Sequence, residues 1–127
     1  MKKRQFTFAL ILFALLLTAC TRQVGWVGFN YGDTFDATYQ LFDGKKTEKF
    51  QIGAGDTLSL TYDLDVDDGA LTIELVSPEG EAVWATSFLD DAEDMYEFTA
   101  QASGRYTLNI IGDDTEGGFD LNWEISD

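Results

Sequence analysis

In the stretch DTLSLTYDLDV, residues 56 to 66, apolar and polar side chains alternate without a break from Thr57 onward. Leu58, Leu60, Tyr62 and Leu64 fall on one side, and Thr57, Ser59, Thr61 and Asp63 on the other. A period of two is the repeat of a β-strand, whose successive side chains point to opposite faces. The same alternation recurs in ALTIELV, which groups Leu71, Ile73 and Leu75, and in GGFDLNWEI, which groups Phe119, Leu121, Trp123 and Ile125. Strands with one apolar face must bury it against a second layer.

Turn signals divide the remaining strand-like runs. TFDATYQLF and KTEKFQI flank Asp43-Gly44, a pair that reads as a hairpin because glycine accepts the positive φ such turns need. DTLSLTYDLDV and ALTIELV are expected to pair through DDG, and SPEGE, with the only proline, is a further turn. AVWATSF, MYEFTA, GRYTLNII and GGFDLNWEI supply more strands, whereas DDAED (residues 90–94) and GDDTEGG (112–118) read as acidic loops. No helix of useful length is visible. About eight antiparallel strands, each with one apolar face, imply an all-β, jelly-roll-like β-sandwich; a small closed barrel is the alternative. TRQVGWVGFNYG, from Thr21 to Gly32, is either a tether or a first edge strand.

The N-terminus reads as an export signal: MKKR, then the apolar run Phe6–Leu17, then Thr18-Ala19-Cys20. The apolar run is shorter than the ~20 residues a bilayer-spanning helix needs. Leu17-Thr18-Ala19-Cys20 resembles the lipobox of bacterial lipoproteins, an aliphatic residue and two small ones before a cysteine. That resemblance implies a diacylglycerol on the Cys20 thiol and cleavage before it. Residues 1–19 would then be the signal peptide, 20–33 a lipidated tether or edge strand, and 34–127 the sandwich, on the extracytoplasmic face of a bacterial membrane. Cys20 is the only cysteine, so no disulfide can form within the chain.

From Cys20 onward the chain carries five basic residues against 23 acidic ones, a net charge of −18. Nucleic acid is excluded as a partner, because phosphate recognition needs basic patches. The charge favours cations or basic partners instead. Hydrophobic content of 45% and aromatic content of 14% argue for a packed core rather than acidic disorder.

LFDGKKT, GALTIELVSPEGEAVW, ASGRYTLNIIGD and GGFDLNWE together resemble the small Gram-positive lipoproteins whose extracytoplasmic part is a compact β-sandwich. ASGRYTL also resembles sandwich modules of the pre-peptidase C-terminal type. The resemblance implies the fold and no particular activity.

Two constellations could carry chemistry. Asp63, Asp65, Asp67 and Glu74 stand at positions 1, 3, 5 and 12 of a calcium-loop count. Position 6, glycine in an EF-hand, is Asp68, and the flanks read as strand, so the EF-hand reading fails. What remains open is a sandwich-type calcium site on Asp63, Asp65 and Asp67, with Glu74 from a partner strand, or an edge protected from aggregation by negative charge. Trp26, Tyr31, Tyr39 and Trp84 are the candidates for an aromatic ligand platform, while Tyr62, Tyr106 and Trp123 are expected in the core. The chain has no histidine, and its only thiol is assigned to lipid, so Ser-His-Asp and Cys-His triads are excluded.

The sequence therefore points to a non-enzymatic binding or interaction module on a membrane anchor, with a protein or an envelope polysaccharide as partner. A carbohydrate-binding module, with or without calcium, is one alternative; an exposed row of at least two aromatics on one sheet face would mark it. An accessory subunit of an envelope complex is the other; a contiguous exposed apolar patch involving GWVGFNY would mark that.

Overall fold

The computed structural model describes residues 21–127; Cys20 and residues 1–19 lie outside the described residues. The described residues form seven antiparallel strands: β1 (Arg22–Val24), β2 (Val27–Tyr31), β3 (Thr34–Ile52), β4 (Thr57–Val76), β5 (Ala82–Phe88), β6 (Ala92–Thr99) and β7 (Gly104–Ser126). Among the described residues no helix is long and apolar enough to cross a membrane.

β3, β4 and β7 are too long for one sheet of a small sandwich, and each bends to serve two. The first halves of β3 and β4 and the second half of β7 form one sheet in the order β2-β3-β7-β4-β6. The other halves form the second sheet, β1-β3-β7-β4-β5. Aromatic pairs clasp the two layers: Phe50 against Trp123 at 5.0 Å, Phe98 against Tyr106 at 5.4 Å and Tyr62 against Phe88 at 5.5 Å between ring centroids. The alternation does as expected, since Leu58, Leu60, Leu64, Leu71, Ile73, Leu75, Leu108, Ile110 and Leu121 are fully buried between the sheets. The fold is an antiparallel, jelly-roll-like β-sandwich.

Three of the expected turns and loops lie inside strands instead. Asp43-Gly44 lies inside β3, so TFDATYQLF and KTEKFQI do not pair with each other; both pair with β7. Likewise DDG lies inside β4, and GDDTEGG, expected as a loop, lies inside β7. At all three places the strand changes sheet. The register of β3 against β7 slips between Tyr39 and Gly44, and that of β4 against β7 slips between Val66 and Ala70. Bulges of this kind add twist and redirect a strand. The glycines that suggest hairpins supply the conformations the corner needs, with φ of +71° at Gly69 and +138° at Gly117. DDAED is only half loop, because β6 starts at Ala92. Of the two readings of residues 21–32, the edge strand is what forms: β1 borders the second sheet at Leu41–Asp43, and β2 borders the first along Thr34–Thr38.

Candidate binding face on the outer side of the first sheet

Register decides which side chains share the outer side of the first sheet. Phe29 on β2 stands opposite Asp36 on β3, Asp36 opposite Asp120 on β7, Asp120 opposite Asp63 on β4, and Asp63 opposite Glu93 on β6. One aromatic ring and four carboxylates thus form a single row across all five strands. The next row carries Tyr31, Thr34, Asn122, Thr61 and Met95. Thr34 donates a hydrogen bond to Asn122 at 2.8 Å, and Asn122 donates to Asp120 at 3.1 Å. In the row on the other side, Gly118 leaves a gap between Thr38 and Asp65. The result is a shallow cavity of about 270 Å³ floored by Gly118 and walled by Asp36, Asp63, Asp65 and Asp120.

Adjacent strands lie about 4.8 Å apart, inside the Debye length of about 8 Å at physiological salt, so these carboxylates act on one another. Desolvation, then the charges of Asp91, Asp63 and Asp67, raise the pKa of Asp65 above the ordinary carboxylate value. Asp91 is itself fixed by accepting the Val66 backbone N–H at 2.8 Å. No lysine or arginine lies on any strand segment of this sheet. All five basic residues after Cys20, namely Arg22, Lys45, Lys46, Lys49 and Arg105, are on strand segments of the second sheet.

At the β2 edge the face turns apolar. Val27, Phe29 and Tyr31 are 71%, 56% and 74% exposed, and the two rings lie 6.1 Å apart. Isolated exposed apolar residues are ordinary on a protein surface, but three in register on one edge strand form a strip. Among the described residues, the other edge of β2 has no strand partner.

The expected sites are only partly assembled. Asp63 and Asp65 share the outer face, and Asp67 falls in the bulge where β4 leaves the sheet. Glu74 does not join them. It is on β4 itself rather than a partner strand, beyond the corner and therefore on the second sheet, where its carboxylate accepts a hydrogen bond from Asn109 Nδ2 at 3.0 Å. Among the described residues, the carboxylates that approach one another as metal ligands do are Asp43, Asp113 and Asp114 at the corner. Arg22 bridges two of these, at 3.1 Å to Asp43 and 3.3 Å to Asp114.

Of the four aromatic candidates, only Tyr31 is an open surface. Tyr39 is a correction: it is 4% exposed and points into the core, stacked on Trp26 at 5.5 Å. Burial raises the pKa of its phenol to about 12, against a lowering by the neighbouring Thr115 hydroxyl; the two oxygens nevertheless lack a well-formed hydrogen bond. Trp26 plugs the β2 side of the sandwich over Tyr39, Phe42 and Phe119, with Lys46 Nζ 4.8 Å above its ring. A side-chain hydrogen bond from Asn30 to Glu48 ties the two sheets together on the same side. Trp84 does the equivalent on the opposite side, stacked on Tyr96 at 4.1 Å and so bridging β5 and β6, which do not pair. The expected core residues Tyr62, Tyr106 and Trp123 are buried.

The sequence singles out neither Asp36 nor Asp120, whereas Phe29 lies within GWVGFNY, expected as a tether or edge strand with an apolar patch, and Glu93 within the acidic DDAED. Alternation could have assigned Asp36 and Asp120 to the solvent side of their strands, since each sits between buried residues. Only the strand order brings them together.

No protein-family model matches the chain, and no curated protein is significantly similar to it. Solved structures do match in fold. A structure described as "CBM4 structure and function", a carbohydrate-binding module, superimposes with a TM-score of 0.55 at 10% identity, covering 84% of this chain and 77% of that one. Weaker likenesses include the periplasmic g-type lysozyme inhibitor PliG of Aeromonas hydrophila, at TM-score 0.48 and 14% identity over 77% of this chain and 93% of that one. TmCBM61, solved in complex with β-1,4-galactotriose, gives 0.45 at 9% identity over 79% and 68%. At 10% identity the likeness to the first of these establishes the β-sandwich fold alone.

Proposed function

We propose that this chain is a lipid-anchored, extracytoplasmic, non-enzymatic binding module that engages its ligand through the outer side of the first sheet. The observation that carries this reading is the strip of Val27, Phe29 and Tyr31, exposed in register beside a continuous row of polar side chains. An apolar strip rimmed by polar groups is the usual form of a surface that another molecule covers. Trp26 and Trp84 are used in closing the sandwich, so the open aromatic surface is Phe29 and Tyr31.

The anchor is Cys20, carrying the lipid that the lipobox implies. Arg22 opens β1, and two residues of chain span at most about 7 Å. The folded domain then begins at the bilayer surface, without a long tether. Thr21 accepts a hydrogen bond from the Lys45 backbone N–H at 3.3 Å, so a lipid on Cys20 would lie close to the lysine-bearing part of β3.

The test uses the full-length protein in detergent, with an oligolysine peptide and cellohexaose as the two probes. Replacing Phe29→Ser and Tyr31→Ser together is expected to weaken whichever probe binds by about tenfold, since truncating a central aromatic contact removes roughly 1 kcal/mol or more. Circular dichroism should stay unchanged, because both side chains are outside the core. Undiminished binding of both probes would contradict the assignment of this face.

A further inference from the structure

We infer that the partner of this face is a basic polypeptide, whose lysine and arginine side chains pair with the Asp36–Asp120–Asp63–Glu93 row while its apolar residues cover Val27, Phe29 and Tyr31. The inference rests on the binding-face reading above and names the class of ligand.

Three features of the face combine to select that class. First, charge is segregated by the fold. The outer side of the first sheet bears Asp36, Asp63, Asp65, Glu93, Asp120 and Glu124 with no basic residue on any of its strand segments, whereas every basic residue after Cys20 sits on the second sheet. A well-solvated acidic surface needs no such separation, because mixed signs serve solubility as well. Second, the carboxylates of the row have no internal cation. The ion pairs among the described residues are those of Arg22 with Asp43 and Asp114 at the corner. A row of like charges at strand spacing gains when cations are brought against it, and the field it sets up speeds the encounter with a positively charged partner. Third, the apolar strip lies at one end of the same row, since Phe29 is in register with Asp36. A simple cation would leave Val27, Phe29 and Tyr31 uncovered, and a neutral oligosaccharide would leave the carboxylates facing one another. A basic polypeptide satisfies both parts with one molecule.

Reach is adequate too. Five strands at about 4.8 Å give a width of roughly 19 Å, and two residues along a strand separate rows by about 7 Å. Lysines two apart on an extended chain repeat at nearly that row spacing, and those on neighbouring strands repeat at the spacing of the carboxylates within a row.

The test measures the affinity of the full-length protein in detergent for the oligolysine peptide and for cellohexaose, in wild type and in two variants of equal charge change. One is Asp36→Asn with Asp63→Asn, two carboxylates that make no side-chain hydrogen bond. The other is Glu79→Gln with Glu81→Gln, beside the β4–β5 turn and off this face. The expected result is that oligolysine binds, that its affinity falls steeply with added salt, and that D36N/D63N weakens it by about tenfold while E79Q/E81Q changes it less than about twofold. Equal weakening by both variants would show attraction to net charge alone and overturn the inference. Cellohexaose binding that is lost in F29S/Y31S but untouched by D36N/D63N would also overturn it, while leaving the binding face in place. Insensitivity of both probes to F29S/Y31S and to D36N/D63N would overturn the inference and the binding face together.

Discussion

Alanine in place of Gly117 should destabilise the protein by at least about 3 kcal/mol and lower the midpoint of thermal unfolding by roughly 12 °C or more. Gly117 sits in the corner of β7 with φ of +138°, a conformation that strains any residue with a Cβ. Space is the larger difficulty. A Cβ there would overlap the backbone carbonyl oxygen of Asp65 on β4, a strand paired with β7 at Asp65 and with β6 up to the preceding residue, Leu64. A backbone held in this way cannot retreat as a flexible side chain would. Gly80→Ala supplies the control, because Gly80 also has positive φ, at +90°, but its Cβ would meet nothing within 4 Å. It should lose only about 1 kcal/mol, from backbone strain alone. Similar losses for the two variants, measured by thermal or denaturant unfolding, would mean that the strands do not cross this closely at the corner.

Replacing Cys20 by alanine should move the protein from the membrane to the soluble fraction and abolish incorporation of labelled palmitate. Lipid contributes about 0.8 kcal/mol for each buried CH₂, so the two or three acyl chains of a lipidated Cys20 would hold the protein firmly where one chain alone would hold it only marginally. Without the thiol no lipid can be added, and the peptidase that cuts lipidated precursors has no substrate. The uncut signal is a poor substitute. Its apolar run from Phe6 to Leu17 is shorter than the ~20 residues that a bilayer-spanning helix needs. Membrane retention and palmitate labelling equal to wild type would remove the lipoprotein reading.

How much of this the sequence discloses depends on the range of the interaction involved. The strands and their buried faces are local matters: alternation in residues 57–66 places Leu58, Leu60 and Leu64 in the core, and the structure buries all three. Hairpins are a different matter. Asp43-Gly44, Asp68-Gly69 and the glycines of GDDTEGG have the chemistry of a tight turn, and the same positive-φ freedom serves a strand that bends in line from one sheet to the other. Which of the two occurs is decided by what lies across the bend, and the sequence does not print that. The acidic face shows the same division. Asp63 and Asp65 share a face by their spacing alone, whereas Asp36 and Asp120 join them only because β7 lies between β3 and β4. The reading that joined Glu74 to these aspartates placed it on a partner strand across a DDG hairpin, and β4 instead runs through DDG and carries Glu74 past the corner to the other sheet. Tyr39 had the composition of a ligand platform and the phase of a core residue; its alternation with Phe35 and Ala37 was the better guide. By contrast GWVGFNY could be singled out as an interaction surface beforehand, because three exposed apolar residues alternating with Gly28 and Asn30 leave a strand little to bury.

Where a ligand touches the protein decides which face binds it. Backbone amide chemical shifts of the isotopically labelled full-length protein in detergent, recorded while oligolysine is added, would locate that contact. Shifts concentrated at Val27–Tyr31, Asp36, Asp63, Glu93 and Asp120, with Thr72, Glu74 and Asn109 on the second sheet unmoved, are the result this structure predicts. Shifts centred on the second sheet, or spread evenly over both, would contradict it.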